Sequence, residues 1–473
     1  MTSLLLLILF SGLILCLLNN DWKSGLLWTI TIGFCQDPIR KLTPGQPSLM
    51  VGFVLAGFLL CAFVIYQIRS QLDLKYLFWT SPQLLDTIPL FIALLGFQAA
   101  NSLSRFGSTP LVLIGLSFYI APAIALWTGF HIGRDLFFLR RVLVFYFILS
   151  CIFAFTILLD FRGVDIPAFE EVGSGILITF EGGSKSGASG FWRTSEIASW
   201  HLAAAACFSI ILTLSDRDVG RQIFYVLMAV LFSFLSVTTG RRKSQVLIFA
   251  FLCIYLLVFS RQASPASRER LIMSVLGGAG ISLAIASIFL IDLFGSNYEI
   301  FLNRASTSGE GIGDRLQFQG WSAFLRAFDV GGGFGLGLGA GSNIGNFNAG
   351  VNRATVGSLG YVSEGGGGRL VVELGIPGLL LIGWILSLSV KLIWRNFMLI
   401  RFLPAEQIAL ISGCLSFGIA NMLFFFSAAQ LYGDPFILVM LGISIGPVLS
   451  VPVLVYSLQQ QQRSNPALVR GVP

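Results

Sequence analysis

Residues 142–160 read VLVFYFILSCIFAFTILLD. A helix rises ~1.5 Å per residue, so this run matches the ~30 Å hydrocarbon core of a bilayer. Its one charged residue, Asp160, closes the run, and Arg140 and Arg141 precede it. The stretch reads as a membrane-spanning helix, and the pattern recurs along the chain. Further apolar runs lie near 4–18, 24–35, 50–68, 84–100, 110–129, 196–214, 223–239, 245–260, 272–293, 374–394, 404–428 and 434–457. The run 24–35 is the weakest and is compatible with a re-entrant segment. The expected fold is an all-α, polytopic integral membrane helix bundle of 12 or 13 spans with one large outer loop.

Composition agrees. Charged residues are 11% of the chain, against roughly 25% in a soluble domain. The net charge of +7 sits largely in short loops, so it does not imply nucleic acid. Seven cysteines lie in apolar runs with no CxxC pair, which indicates neither a disulfide framework nor a metal site. The run 4–18 lacks a positive segment before it and a small-residue cleavage site after it, and reads as a first span.

Short loops set the orientation. Arg134, Arg140 and Arg141 form one basic cluster, Arg217 and Arg221 a second. Arg261, Arg268 and Arg270 form a third, and Lys391, Arg395 and Arg401 a fourth. Strict alternation and the positive-inside tendency together place all four, and the C-terminus, in the cytoplasm. The loops 161–195 and 294–373 then lie outside, as does the turn containing Arg241, Arg242 and Lys243. That turn runs against the charge tendency. The chain divides into N-terminal membrane helices (1–160), central helices with an outer loop 161–195 (161–293), a large outer loop (294–373) and C-terminal helices with a tail (374–473).

Within 294–373, Trp321, Phe324, Leu325 and Phe328 recur at helical spacing. The spacing predicts an amphipathic helix over 315–328 with these four on one buried or membrane-dipped face. Gly331–Gly345 then holds eight glycines in fifteen residues. It lacks the Lys-Ser/Thr of a P-loop and the GxGxxG of a dinucleotide fold. It reads either as a flexible loop or as backbone that approaches a ligand closely or hinges over a site.

Arg193, Arg241, Arg242, Lys243, Arg315 and Arg369 all fall at span ends or in the outer loops. Charge beside a bilayer core is costly and usually functional. Guanidinium suits forked recognition of phosphate. The set points to a lipid-linked phosphate or pyrophosphate, against a bland reading as snorkelling charge.

Four local matches over roughly 140–395 make the chain resemble the bacterial O-antigen ligase and O-antigen polymerase superfamily. Phe191-Trp192-Arg193 leads into a span with Ala198 and the alanines 203–206. Thr239-Gly240-Arg241-Arg242 resembles the family's Thr-x-Ser-Arg turn, with glycine at the serine position. Asp314-Arg315, Trp321 and Phe334–Gly339 resemble its Arg…Trp…Gly-x-Gly-x-Gly loop. Glu373-Leu374-Gly375-Ile376-Pro377-Gly378 resembles its Glu-x-Gly helix start. The histidine that ligases carry in the outer loop is missing from Ser363–Arg369. His201, within a span, reads as a packed, hydrogen-bonded residue. The departure favours a polymerase, or an undefined exopolysaccharide member of the superfamily, over a ligase.

The resemblance implies a GT-C-type membrane fold and glycosyl transfer from a polyprenyl-pyrophosphate-linked oligosaccharide to a growing glycan, with no cofactor or metal. It implies residence in the bacterial cytoplasmic membrane, with the chemistry outside, among membrane lipids and other polysaccharide export proteins. Arg193 and Arg241 are the candidates for the pyrophosphate. Glu364 and Glu373 are the candidates for a general base, although Glu373 and Arg369 are also spaced to pair at i, i+4. Arg242, Arg315, Trp321 and Arg369 are the substrate-contact candidates. An O-antigen ligase is the nearest alternative, and a lipid-linked-oligosaccharide flippase or other transporter is the alternative of another class.

Overall fold

The computed structural model describes residues 2–47, 50, 52–69, 81–172, 177–180, 183–265, 268–269, 272–273, 277, 280, 316–342, 365–425 and 431–464. Six helices come first: α1 (Thr2–Leu18), α2 (Trp22–Lys41), α3 (Phe53–Arg69), α4 (Gln83–Phe106), α5 (Thr109–Gly133) and α6 (Leu136–Phe161). A short antiparallel ribbon, β1 (Leu177–Phe180) and β2 (Gly183–Ser186), pairs Leu177 with Ser186. It is a small addition to the all-α expectation. Then come α7 (Ser195–Ser215), α8 (Val219–Thr238), α9 (Arg242–Gln262), α10 (Ala323–Gly331), α11 (Gly366–Leu399), α12 (Ala405–Phe425) and α13 (Pro435–Ser464).

The described part of every apolar run read from the sequence lies on a helix, and 272–293 falls largely outside the described residues. Nine helices among the described residues, α4–α9 and α11–α13, are long and apolar enough to cross a membrane. The apolar α1 and α3 are shorter. The weak run 24–35 is the interior of α2, a helix of twenty residues. Large apolar side chains such as Leu7, Phe137, Phe155, Phe249 and Leu380 stand exposed, which suits lipid rather than water.

The bundle is closed by small residues. Helix α7 is almost wholly buried, and its alanines 203–206 have no exposed surface. Helices α5 and α13 cross at Gly129, Gly442 and Gly446, where a Cβ on Gly442 would lie 2.2 Å from Ala125 Cβ. Lipid is as apolar as leucine, so close backbone approach supplies what the hydrophobic effect cannot.

Polar pairs gather at two rims. At one, Lys23 pairs with Asp135, Arg140 with Asp216 and Arg217 with Glu406. At the other end of the same helices lie Asp37, Arg193, Asp434 and the 240–243 turn. The alternation expected from loop charge is thus met by the helix directions.

The outer-loop helix runs as a π-helical segment, Leu316–Ser322, into α10. Its protein-facing side is a small-residue one beside the apolar face read from the spacing. Ala323, Ala327 and Gly331 are buried, Phe324 and Phe328 are partly buried, and Trp321 and Leu325 are exposed. The physical reason is close packing. Gly331 meets the backbone of Val371 and Val372 on α11, and Phe324 covers Gly367. A tight approach selects the small side of the helix and turns the largest residues outward.

The glycine stretch is not as expected. Its described part, to Ser342, is packed backbone between α4, α5 and α11, not a free loop. Leu336 N donates to Val372 O (2.7 Å), and Ile376 N to Gly333 O (2.9 Å). Gln98 Nε2 donates to Phe334 O (2.6 Å), and Ser102 Oγ to Leu338 O (2.8 Å). Gly339 has φ +81°, and a Cβ there would lie 2.1 Å from Leu111 O. The close approach is real, but it is to the protein's own helices. Gly339→Ala adds left-handed strain to a steric clash, each on the order of 1–3 kcal/mol. We expect a clear drop in the melting temperature of the detergent-solubilised protein; an unchanged melt would show that the wedge tolerates a side chain.

Candidate functional site

The site forms around the N-terminus of α7, where three separate stretches of chain meet. Thr194 caps the helix, its Oγ1 accepting Ile197 N–H (3.3 Å). The first helical N–H, that of Ser195, donates to Glu171 Oε1 (2.7 Å). The Ser195 hydroxyl lies 3.2 Å from Arg241 Nε. The helix dipole makes this end suited to negative charge.

Arg241 reaches Ser195 because the α8–α9 turn is tight. Gly240 takes φ +67°, and its N–H donates to Val237 O (2.8 Å). Thr239 Oγ1 accepts from Arg241 N (3.4 Å), and Ser244 Oγ closes on Arg241 O (2.8 Å). Lys243 pairs with Glu196 on the first turn of α7 (3.2 Å). Lys243, Arg241 and Arg193 all act electrostatically on Glu196, so the three cations share one neighbourhood. Arg241, Arg242 and Lys243 are each part-exposed.

Arg193 stands in the same place with a different commitment. Its guanidinium bridges Asp434 Oδ2 (2.6 Å) and Asp37 Oδ1 (3.4 Å), tying the α7 approach to α2 and α13. Its own N–H also donates to Asp37 Oδ2 (3.2 Å). Burial alone would lower the guanidinium pKa, but Asp434 and Asp37 outweigh it and raise it. The strand of chain leading to Arg193 is clasped as well. Lys41 Nζ donates to Gly190 O (2.8 Å), and Asp160 Oδ2 accepts from Ser189 N (2.7 Å) and Gly190 N (2.8 Å).

Arg369 and Glu373 form a second, sealed group. Helix α11 is broken at Gly375 (φ 67°), so Gly366–Leu374 is a half-helix. On it, Arg369 Nε bonds Glu373 Oε1 (3.0 Å), the pairing that the i, i+4 spacing allows. Glu373 is fully buried and also accepts from Tyr119 OH (2.9 Å) and Gly341 N (3.2 Å). Arg369 lies over the Phe118 ring, 3.7 Å from its centroid. The group knits α5, α11 and the glycine wedge together, and gives Glu373 no described opening to a substrate.

Of the other sequence candidates, Trp321 is exposed on the outer-loop helix. Arg315 and Glu364 lie outside the described residues. His201 is buried, bonded to Tyr146 OH through Nδ1 (2.7 Å) and stacked on Trp192, in keeping with a packing role. Glu171 was not singled out from the sequence. Nothing local marks it, because its partner Ser195 is 24 residues away.

Compared with known proteins, the chain matches no family model and no curated protein.

Proposed function

We propose that the protein is a glycosyltransferase that uses a polyprenyl-pyrophosphate-linked oligosaccharide as donor and extends a growing glycan at the rim carrying the 240–243 turn. One observation carries the reading. Arg241, Arg242 and Lys243 are part-exposed at one membrane face, with Arg241 held against the anion-favouring end of the central helix. Negative charge develops on the departing pyrophosphate, and preorganised guanidinium groups stabilise it where water is scarce. Arg241 is assigned the pyrophosphate, with Arg242 beside it. Arg193 orients the α7 approach through its two carboxylates.

The test is the polysaccharide profile of a strain lacking this protein. Loss of polymer with retention of single repeats supports the polymerase. Polymer retained on the carrier but absent from its final acceptor indicates a ligase. One feature favours a carrier instead: α11 is a discontinuous helix with a buried ionisable pair, an arrangement that transporters use. Donor accumulating on the cytoplasmic leaflet would establish that reading.

With the basic short loops taken as cytoplasmic, the proposal assigns the 240–243 rim to the outer side of the bacterial cytoplasmic membrane. In a cysteine-free background, Val164→Cys should react with an impermeant thiol reagent in intact spheroplasts. Val219→Cys, at the opposite rim, should react only after permeabilisation. Both positions are exposed, so the reverse pattern would invert the assignment.

A further inference from the structure

Glycosyl transfer needs a base for the acceptor hydroxyl as well as cations for the leaving group. The sequence offered Glu364 and Glu373. Glu373 is locked between Arg369, Tyr119 and the Gly341 N–H. Other carboxylates at this rim hold structural partners, and Glu171 too accepts the Ser195 N–H (2.7 Å). Asp37 and Asp434 hold Arg193, Asp160 holds two backbone N–H groups, and Glu196 faces Lys243.

Glu171 differs in place and surroundings. It is part-exposed, and its Oε1 and Arg241 Nε grip the same residue, Ser195, from two sides. The backbone beside it is pinned, Val172 N donating to Arg193 O (2.8 Å). A carboxylate is therefore held next to the arginine assigned to the pyrophosphate, on a rigid helix end.

We propose that Glu171 is the general base of this site. Its carboxylate takes the proton of the acceptor hydroxyl as that oxygen bonds to the anomeric carbon. The anomeric carbon–oxygen bond to pyrophosphate breaks, and the electron pair leaves with the pyrophosphate against Arg241. The proposal rests on the glycosyl-transfer reading. Burial pushes the Glu171 carboxyl up, against the opposing pull of the Ser195 hydrogen bonds, Arg241 and Lys41. A base shifted in this direction is better matched to neutral pH.

The experiment uses the full chain in lipid nanodiscs with lipid-pyrophosphate-linked oligosaccharide extracted from the deletion strain. Wild-type kcat should rise with pH along an acid limb above the ordinary carboxylate range. Glu171→Gln should lower kcat by about 10²–10⁴-fold and remove that limb, as loss of a general base does. The donor KM should change little, because Arg241 remains. Glu171→Asp should keep partial turnover with a displaced limb. A folded Glu171→Gln protein with near-wild-type kcat, or with a changed KM alone, overturns the proposal. If Glu171→Gln does not fold, Glu171→Asp with the wild-type limb overturns it. No turnover by the wild type would refute the glycosyl-transfer reading itself, and the base assignment with it.

Discussion

Arg241→Ala should abolish polymer in the complemented deletion strain while the amount of membrane-inserted protein stays at the wild-type level. The side chain is part-exposed, and its Nε bonds the Ser195 hydroxyl (3.2 Å). Loss of one charge-assisted contact in the transition state is worth roughly 1.5–3 kcal/mol, a rate deficit of at least about ten-fold. Arg241→Lys should restore only part of this, since lysine keeps the charge without the fork. Arg193→Ala is the contrast. It leaves Asp37 and Asp434 buried without their cation, so protein level should fall together with polymer. Full-length polymer in the Arg241→Ala strain would remove this arginine from the mechanism.

Glu373→Ala should fail by unfolding, not by lost chemistry. The substitution strands the Arg369 guanidinium inside the bundle and removes the acceptor for Tyr119 OH and Gly341 N–H. Breaking one partner of a buried pair costs about 3–5 kcal/mol. That is a large part of a typical folding free energy of about 5–15 kcal/mol. The expected result is low yield in membranes and a sharply lowered melting temperature. Glu373→Gln keeps an acceptor oxygen and should be milder. A Glu373→Ala protein that melts like wild type yet makes no polymer would instead return Glu373 to the list of bases.

Local order in the chain carried much of the architecture. Apolar runs placed the spans, because a helix of a given length must match a slab of given thickness. Loop charge anticipated the alternation of helix directions. The i, i+4 spacing of Arg369 and Glu373 anticipated their pairing, since a single helix brings them together.

The rest depended on contacts between distant parts of the chain. A span next to lipid and a span next to protein are equally apolar, so hydrophobicity could not say that α7 is central and α8 lipid-exposed. Periodicity marked the large apolar residues of α10, while only the tertiary structure showed that Ala323, Ala327 and Gly331 pack against α11 and that Trp321 and Leu325 stand exposed. Glycine density marked a need for close approach, but what approaches was set by tertiary structure: α11 on one side, and on the other α4 and α5, as in Ser102 with Leu338, 236 residues apart. Arg193 and Arg241 looked alike as basic residues at span ends. Their difference came from Asp37 and Asp434, which bracket Arg193, while Arg241 bonds the Ser195 hydroxyl at the start of α7. Chain periodicity encodes the medium that a segment meets. The partner of a charge is set by topology, because the loss of water makes an unpaired buried ion too costly for any arrangement but the one that supplies its counter-charge.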